Sequence, residues 1–370
     1  MKVSNKRHWI LTPFTFLYGA IIGLRNKFFD WGVITSEDFE VPVISVGNLT
    51  VGGTGKTPHT EYLIELLKDQ FKTALLSRGY KRKSSGYRLA TASSTPREIG
   101  DEPYQIKQKF PDVHVAVDAN RRHGIHRLCE DAETADTAVV LLDDAFQHRH
   151  VVPGVNIVLM DYNRPIYEDS LMPTGMLREP KSSLLRAHVI IVTKCPEDIK
   201  PIDYRIVSKN LELRPYQRLY FTSFAYGDLR SLGSEIRYRA LSTLTRKTQI
   251  ILVTGIASAA PLVDKLREYT ENITHMEYGD HHDFSRIEVQ NIEKIFSTTD
   301  AADKLIITTE KDAARLSQHT LSDVTINHLY VLPIKVVFLQ NQQEKFNHYI
   351  IDYVSKNSRN RIVHKRADAH

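Results

Sequence analysis

The chain has 370 residues, 42% of them hydrophobic and 25% charged; that length suggests two domains, and that composition excludes intrinsic disorder, a collagen-like repeat and a polytopic membrane protein. The formal net charge of +5 is too small an excess, spread over this length, to argue for nucleic acid. The cations concentrate at the ends (Lys2, Lys6, Arg7, Arg25 and Lys27 against Asp30; Lys356, Arg359, Arg361, Lys365 and Arg366 against Asp368), a distribution suited to an anionic surface.

The first element is an uncharged run over 9–24, 16 residues long. It is shorter than the roughly 20 residues a spanning helix needs, and no small-residue cleavage site follows it. Phe14, Leu17, Tyr18, Ile21, Leu24 and Phe28 recur at helical spacing, with Thr12, Thr15, Gly19, Gly23 and Asn26 as a weakly polar face. A helix lying in a membrane interface fits this pattern; a core helix and a spanning helix are the alternatives. Apolar, β-branched runs then recur at 41–46, 73–77, 113–117, 138–142, 156–160 and 189–193. Continuous apolar runs mean strands covered on both faces, hence a parallel sheet. Several end at a polar residue (Asp118, Asp143, Asp161), where a site would sit. A second series lies at 250–254, 273–278, 305–309 and 329–332, with helical patterns at 261–269 and 287–295 and a mixed-polarity junction over 224–247. The two cysteines, Cys129 and Cys195, form no disulfide framework and no CxxC, which suits a reducing compartment.

The strongest motif follows the first strand: Asn48-Leu49-Thr50-Val51-Gly52-Gly53-Thr54-Gly55-Lys56-Thr57-Pro58, opening a helix with Leu63, Ile64 and Leu67 on one face. Glycines let backbone N–H groups curl around a phosphate, and the helix N-terminus adds its positive end. Lys56 would reach the β- and γ-phosphates, and the Thr57 hydroxyl would bind Mg²⁺. Thr50 stands where the strict pattern has glycine, so the loop is a variant. Val51 stands where partitioning ATPases carry an extra lysine. Asp143-Asp144, ending the 138–142 strand, can hold Mg²⁺ beside the loop. Thr193-Lys194 is similar to a base-reading motif, but Pro196 occupies its aspartate position, so ATP is favoured over GTP. Lys194 would lie near the nucleotide or simply be solvated. Gly100-Asp101-Glu102-Pro103 and Asp280-His281-His282-Asp283-Phe284 offer a base for a hydroxyl acceptor, since a carboxylate that orients an imidazole makes a better base than either alone. The Asp-His-His run could instead be a phosphoesterase-type metal site.

Taken together, VGNLTVGGTGKTP (46–58), SRGY (77–80), GDEP (100–103), DDAFQHR (143–149), LREP (177–180), TGI (254–256), DHHDF (280–284) and TEKD (309–312) resemble the tetraacyldisaccharide 4′-kinases, the lipid A 4′-kinases of Gram-negative bacteria. Ala145 departs from the family's usual glycine. The resemblance implies a P-loop NTPase-like parallel sheet flanked by helices, with a second, smaller α/β domain and an N-terminal membrane-interface helix. The expected divisions are 1–36 for that helix, 37–225 for the nucleotide-binding domain and 226–370 for the smaller domain with its linker. It further implies ATP- and Mg²⁺-dependent phosphorylation of the 4′-hydroxyl of a tetraacyldisaccharide 1-phosphate, on the cytoplasmic face of the inner membrane. Asn48, Gly52, Gly53, Thr54, Gly55, Lys56 and Thr57 would bind ATP, with Thr57 and Asp143 at the metal. Asp101 would act as base with His281, supported by Asp280, and Asp143 with Asp144 would form the acidic pair at the reacting centre. Arg78, Glu102, Gln147 and Arg178 would line the site. The expected partners are the acylated disaccharide and an anionic membrane, with no nucleic acid and a monomeric state. The alternative is a P-loop ATPase switch acting on a protein partner.

Overall fold

The computed structural model describes residues 5–233, 235–256, 258–280 and 282–367. Among these residues, nine strands form the large sheet, in the spatial order Ile334–Phe338, Arg218–Tyr226, Val189–Thr193, Val155–Asp161, Val43–Asn48, Val139–Asp143, Thr73–Ser77, His114–Val117 and Arg88–Leu89. The seven inner strands run parallel and the two edges antiparallel. Every residue of Val43–Asn48, Thr73–Ser77, Val139–Asp143 and Val189–Thr193 is buried, the outcome expected of apolar runs sandwiched between helix layers. Among the described residues, a smaller sheet of six strands has Leu329–Val331 and Lys304–Thr308 at its centre, and these with Gln249–Thr254 and Ile273–Glu277 run parallel. All ten strands expected from apolar runs are present, each within two residues at either end.

Three strands of the large sheet are not among the expected runs: the short edge strand Arg88–Leu89, Arg218–Tyr226 and Ile334–Phe338. Arg218–Tyr226 precedes the expected junction over 224–247 and runs into its start, and Ile334–Phe338 pairs antiparallel with it. After the smaller sheet the chain therefore returns to the large one. The helix Gln343–Ala367 follows, and Phe346, Ile350 and Val354 enter the same core cluster as Ile44, Leu63 and Leu67. The stretch 334–354 thus packs with the large sheet rather than with the smaller one. The reason is that alternating burial in Ile334–Phe338 turns Val336 and Phe338 inward, a pattern weaker than the continuous runs of the inner strands.

The N-terminal helix, Asn5–Asp30, is held by its weakly polar face. The hydroxyls of Thr15 and Thr174 are 3.0 Å apart, the Tyr18 hydroxyl donates to the Arg178 carbonyl at 2.8 Å, and Arg25 donates to the Gln147 carbonyl at 3.0 Å. Arg149 donates to the Asn26 carbonyl at 2.8 Å and pairs with Asp30 at 2.6 Å. Gly19 sits so close to Leu171 that a methyl group there would lie 3.0 Å from its Cδ1. Phe14, Leu17, Ile21 and Leu24 point outward and are each at least 50% exposed, which overturns the core-helix alternative. Among the described residues no helix is long and apolar enough to cross a membrane.

Candidate active site

The phosphate loop leaves the carboxyl end of Val43–Asn48, the strand flanked by Val139–Asp143 on one side and Val155–Asp161 on the other. Crevices at the carboxyl ends of such central strands are where open α/β sheets bind ligands. Gly55, at φ +84°, ends the loop, and the helix Lys56–Leu67 starts at the next residue. Gly55 is required twice over. Its φ is left-handed, and an added Cβ would meet Phe224 Cζ at 2.6 Å. Asn48 donates through its side-chain amide to Thr54 Oγ1 at 2.9 Å, and Gln147 donates to the Asn48 carbonyl at 2.7 Å. Lys56 Nζ stands 3.6 Å from Asp144, and Thr57 is buried in the first turn.

The two adjacent aspartates occupy opposite environments. Asp143 is fully enclosed; burial, followed by the negative charges of Glu102 and Asp144, pushes its carboxyl up to about 7. Asp144 is partly exposed; its partial burial raises its carboxyl, but Lys56 and Arg178 outweigh that and hold it below the usual carboxylate range, with Arg178 3.2 Å away. Ser77 donates to Asp143 Oδ2 at 3.3 Å, while Asp143 Oδ1 is buried with no partner among the described residues. An orphaned carboxylate oxygen near a helix-N-terminal threonine is a donor set that fits Mg²⁺, a hard cation that keeps most of its shell as water and phosphate oxygen. Consistent with that sparse set, no cluster of three metal-ligating side chains occurs among the described residues.

Asp101 opens the helix Asp101–Lys109, and from there the site is built by both sheets. Its Oδ2 accepts from Arg315 Nε at 3.0 Å and Nη2 at 2.9 Å. Arg315, 3% exposed, also donates to Asp312 Oδ1 at 3.0 Å and to the Gly255 carbonyl at 3.3 Å. Asp312 Oδ2 in turn accepts from the Gly255 N–H at 2.9 Å. Glu102 pairs with Lys311 at 2.7 Å, and Lys109 bridges Glu61 at 2.7 Å and Glu310 at 2.9 Å. An added Cβ on Gly255 would lie 3.3 Å from His282 Cβ and 3.4 Å from the Gly279 carbonyl. The GDEP, TGI, DHHDF and TEKD segments therefore meet in one place. His281 lies outside the described residues, and Asp280 beside it is exposed. The second histidine, His282, stacks on Tyr278 at 4.8 Å and bonds Glu288 at 3.0 Å, a local structural role.

Three buried participants escaped the sequence reading. Arg121 donates to the carbonyls of Asp118 at 2.8 Å and Asp143 at 3.0 Å, yet in sequence it reads as the charged start of an exposed helix. Arg315 was available from its spacing, three residues after Asp312, which places both on one helix face. His59 was hidden on the inner side of the loop helix, where it is buried.

A family described as tetraacyldisaccharide-1-P 4′-kinase matches residues 7–355. A tetraacyldisaccharide 4′-kinase of Phocaeicola vulgatus is 53% identical over 351 residues, covering 95% of this chain and 96% of that protein. The enzyme of that name from Bacteroides thetaiotaomicron is 53% identical over 374 residues, covering 99% and 98%. A crystal structure of LpxK from Aquifex aeolicus in complex with ATP superimposes with a TM-score of 0.73 at 29% identity, covering 94% of this chain and 99% of that one. The central phosphate loop and the motif segments gathered around Asp101 thus occur in a chain that belongs to the tetraacyldisaccharide-1-P 4′-kinase family.

Proposed function

We propose that this kinase moves the γ-phosphoryl group of ATP in line onto the 4′-hydroxyl of a tetraacyldisaccharide 1-phosphate at a membrane surface. The observation that carries this reading is the grouping of Lys56, Asp144 and Asp143 on the large sheet with Glu102, whose charge acts on Asp143 and which is next in the chain to Asp101, itself anchored by Arg315 from the smaller unit. A loose phosphoryl-transfer transition state needs positioning and charge neutralisation more than covalent help. Lys56 offsets charge on the β- and γ-oxygens, and the loop's amides, those of Gly55 and Lys56 among them, hold the phosphates. Thr57 and Asp143 would hold Mg²⁺, which neutralises phosphate charge when bound. Asp101, with His281 and its neighbour Asp280, takes the proton of the attacking hydroxyl. Asp144 couples Lys56 to Arg178, while Asn48, Arg78, Glu102 and Gln147 line the cavity. Two units whose side chains meet at the reacting centre can close on ATP and exclude water.

The N-terminal helix supplies access to the lipid. Its inner face is fastened to the 143–149 and 177–180 segments, which carry site residues, while its outer face is apolar. We take this helix to lie in the cytoplasmic face of a Gram-negative inner membrane, with acyl chains beside it and the sugar head in the site. The protein acts as a monomer in this reading, with units at 1–36, 37–225 and 226–333, the remainder packing with the second of these. Incubation with γ-labelled ATP and acylated disaccharide 1-phosphate in detergent tests it: label is expected in the lipid. Label released only as free phosphate overturns the reading and favours an ATPase switch acting on a protein partner.

A further inference from the structure

Three consecutive carbonyls of the phosphate loop are tied down by side chains. Lys194 Nζ donates to the Gly53 carbonyl at 2.5 Å and pairs with Asp161 at 2.7 Å. Thr193 Oγ1 donates to the Thr54 carbonyl at 2.9 Å. His59 Nδ1 lies 2.8 Å from the Gly55 carbonyl. A carbonyl only accepts, so Nδ1 carries the hydrogen, and Nε2 accepts from the Thr222 hydroxyl at 3.0 Å. Phe224, two residues beyond Thr222, packs edge-on against the His59 ring at 6.0 Å and closes the space beside Gly55. None of the three donors belongs to the loop itself. Two end the strand Val189–Thr193, and the third is braced by the neighbouring strand Arg218–Tyr226.

The direction of these bonds matters. In a trans peptide the C=O and the following N–H point opposite ways. Holding the Thr54 carbonyl onto Thr193 of the sheet and the Gly55 carbonyl onto His59 of the loop helix turns the Gly55 and Lys56 amides to the opposite side, where a phosphate nest would form. The Thr54 amide is already engaged with the Gly52 carbonyl at 3.1 Å. The Gly53 carbonyl, held by Lys194, fixes the approach to that turn.

We infer that His59, Thr193 and Lys194 are positioning residues for the nucleotide: they aim the loop amides before ATP arrives. This rests on the kinase reading above for its readout, but not for its geometry. A net intramolecular hydrogen bond is modest, so removing one tie is expected to raise KM for ATP about three- to tenfold. At saturating ATP, kcat should stay within about twofold, and KM for the lipid should not move.

Thr193→Val is nearly isosteric and removes only the donor, while Thr193→Ser restores it. Lys194→Met tests the neighbouring tie on a partly exposed side chain, so folding is not at stake, and Lys194→Arg is its conservative partner. ATP binding measured by calorimetry without lipid, alongside KM and the melting temperature, gives the comparison. Weaker ATP binding in Thr193→Val and Lys194→Met, with recovery in Thr193→Ser, supports the inference. Unchanged ATP binding in both variants overturns it. So does a parallel rise of both KM values that tracks a loss of melting temperature and is not rescued by serine. Should the wild-type protein bind ATP but label no lipid, weaker ATP binding in Thr193→Val still supports the loop assignment, and the kinase reading alone fails.

Discussion

The two sides of the site are built from different forces. On the nucleotide side, neutral hydrogen bonds fix the loop, Asn48 to Thr54, Gln147 to Asn48 and Thr193 to Thr54, with the charged Lys56–Asp144 and Lys194–Asp161 pairs beside them. On the acceptor side, charged pairs join the helix Asp101–Lys109 to Glu310–Leu316 of the other unit: Arg315 to Asp101, Lys311 to Glu102, Lys109 to Glu310. Neutral bonds among strands of one sheet fix a geometry and respond little to salt or pH. Charged pairs between units are strong where dry, sensitive to protonation, and open to exchange as the units move. The difference teaches that the loop is fixed mainly by local hydrogen bonds, while the contact between the units rests on charge.

The largest effect should come from the acceptor side. Asp101→Asn is expected to lower kcat by about 10²- to 10⁴-fold, the usual worth of a general base, with ATP affinity within about twofold. Turnover near the wild-type rate would remove Asp101 from that role. Arg315→Met leaves Asp312, fully buried, and Asp101 without their shared cation. Breaking such a pair costs about 3–5 kcal/mol, readable by urea unfolding. A loss below about 1 kcal/mol would mean that charge does not hold the two units together.

Smaller effects separate the N-terminal helix from both sides. Leu17 and Ile21 are 60% and 58% exposed, so Leu17→Gln with Ile21→Gln should leave stability within about 0.5 kcal/mol. Binding to anionic vesicles should fall at least about tenfold, since each apolar side chain buried in lipid contributes about 1.5–3 kcal/mol. Undiminished sedimentation with vesicles would deny this face to the membrane.

The smallest effect concerns Glu61 on the loop helix, where the neutral and charged regions touch. Burial, followed by repulsion from Glu310, raises its carboxyl to about 7, against the attraction of Lys109. The folded state therefore holds a proton that the unfolded chain releases near its ordinary value of 4.5. The stability linked to that proton is full below about 4.5 and is lost as pH rises to about 7. Glu61→Gln keeps an uncharged side chain at every pH and should flatten this fall by at most about 1.4 kcal/mol per pH unit, measured from urea midpoints at pH 4.5, 6 and 8. An unchanged slope would place the titration elsewhere.

Much of this protein could be read before folding was considered. Val41 to Val46 and its counterparts announced a parallel sheet because strands covered on both faces must be apolar throughout. The phosphate loop was legible because its chemistry is local: glycines, a lysine and a threonine act within one turn. Ile334–Phe338 was not, because Lys335 interrupts its short apolar run and, at an edge half open to water, only Val336 and Phe338 are buried. Arg121, Arg315 and His59 were not, because a charged or imidazole side chain in sequence looks solvated until its partners arrive from distant segments. Asp101 meets Arg315 across 214 positions, and His59 meets Thr222 across 163. The N-terminal helix shows the same division. Its apolar spacing was local, but which face would turn to water was decided by Thr174, Arg178 and Gln147, which hold the polar face down. The sequence by itself determined the elements and the phosphate chemistry, since both depend on residues that are neighbours in the chain. Only the tertiary structure decided how the loop carbonyls are held and what anchors Asp101, because those depend on hydrogen bonds and charges closed over long loops.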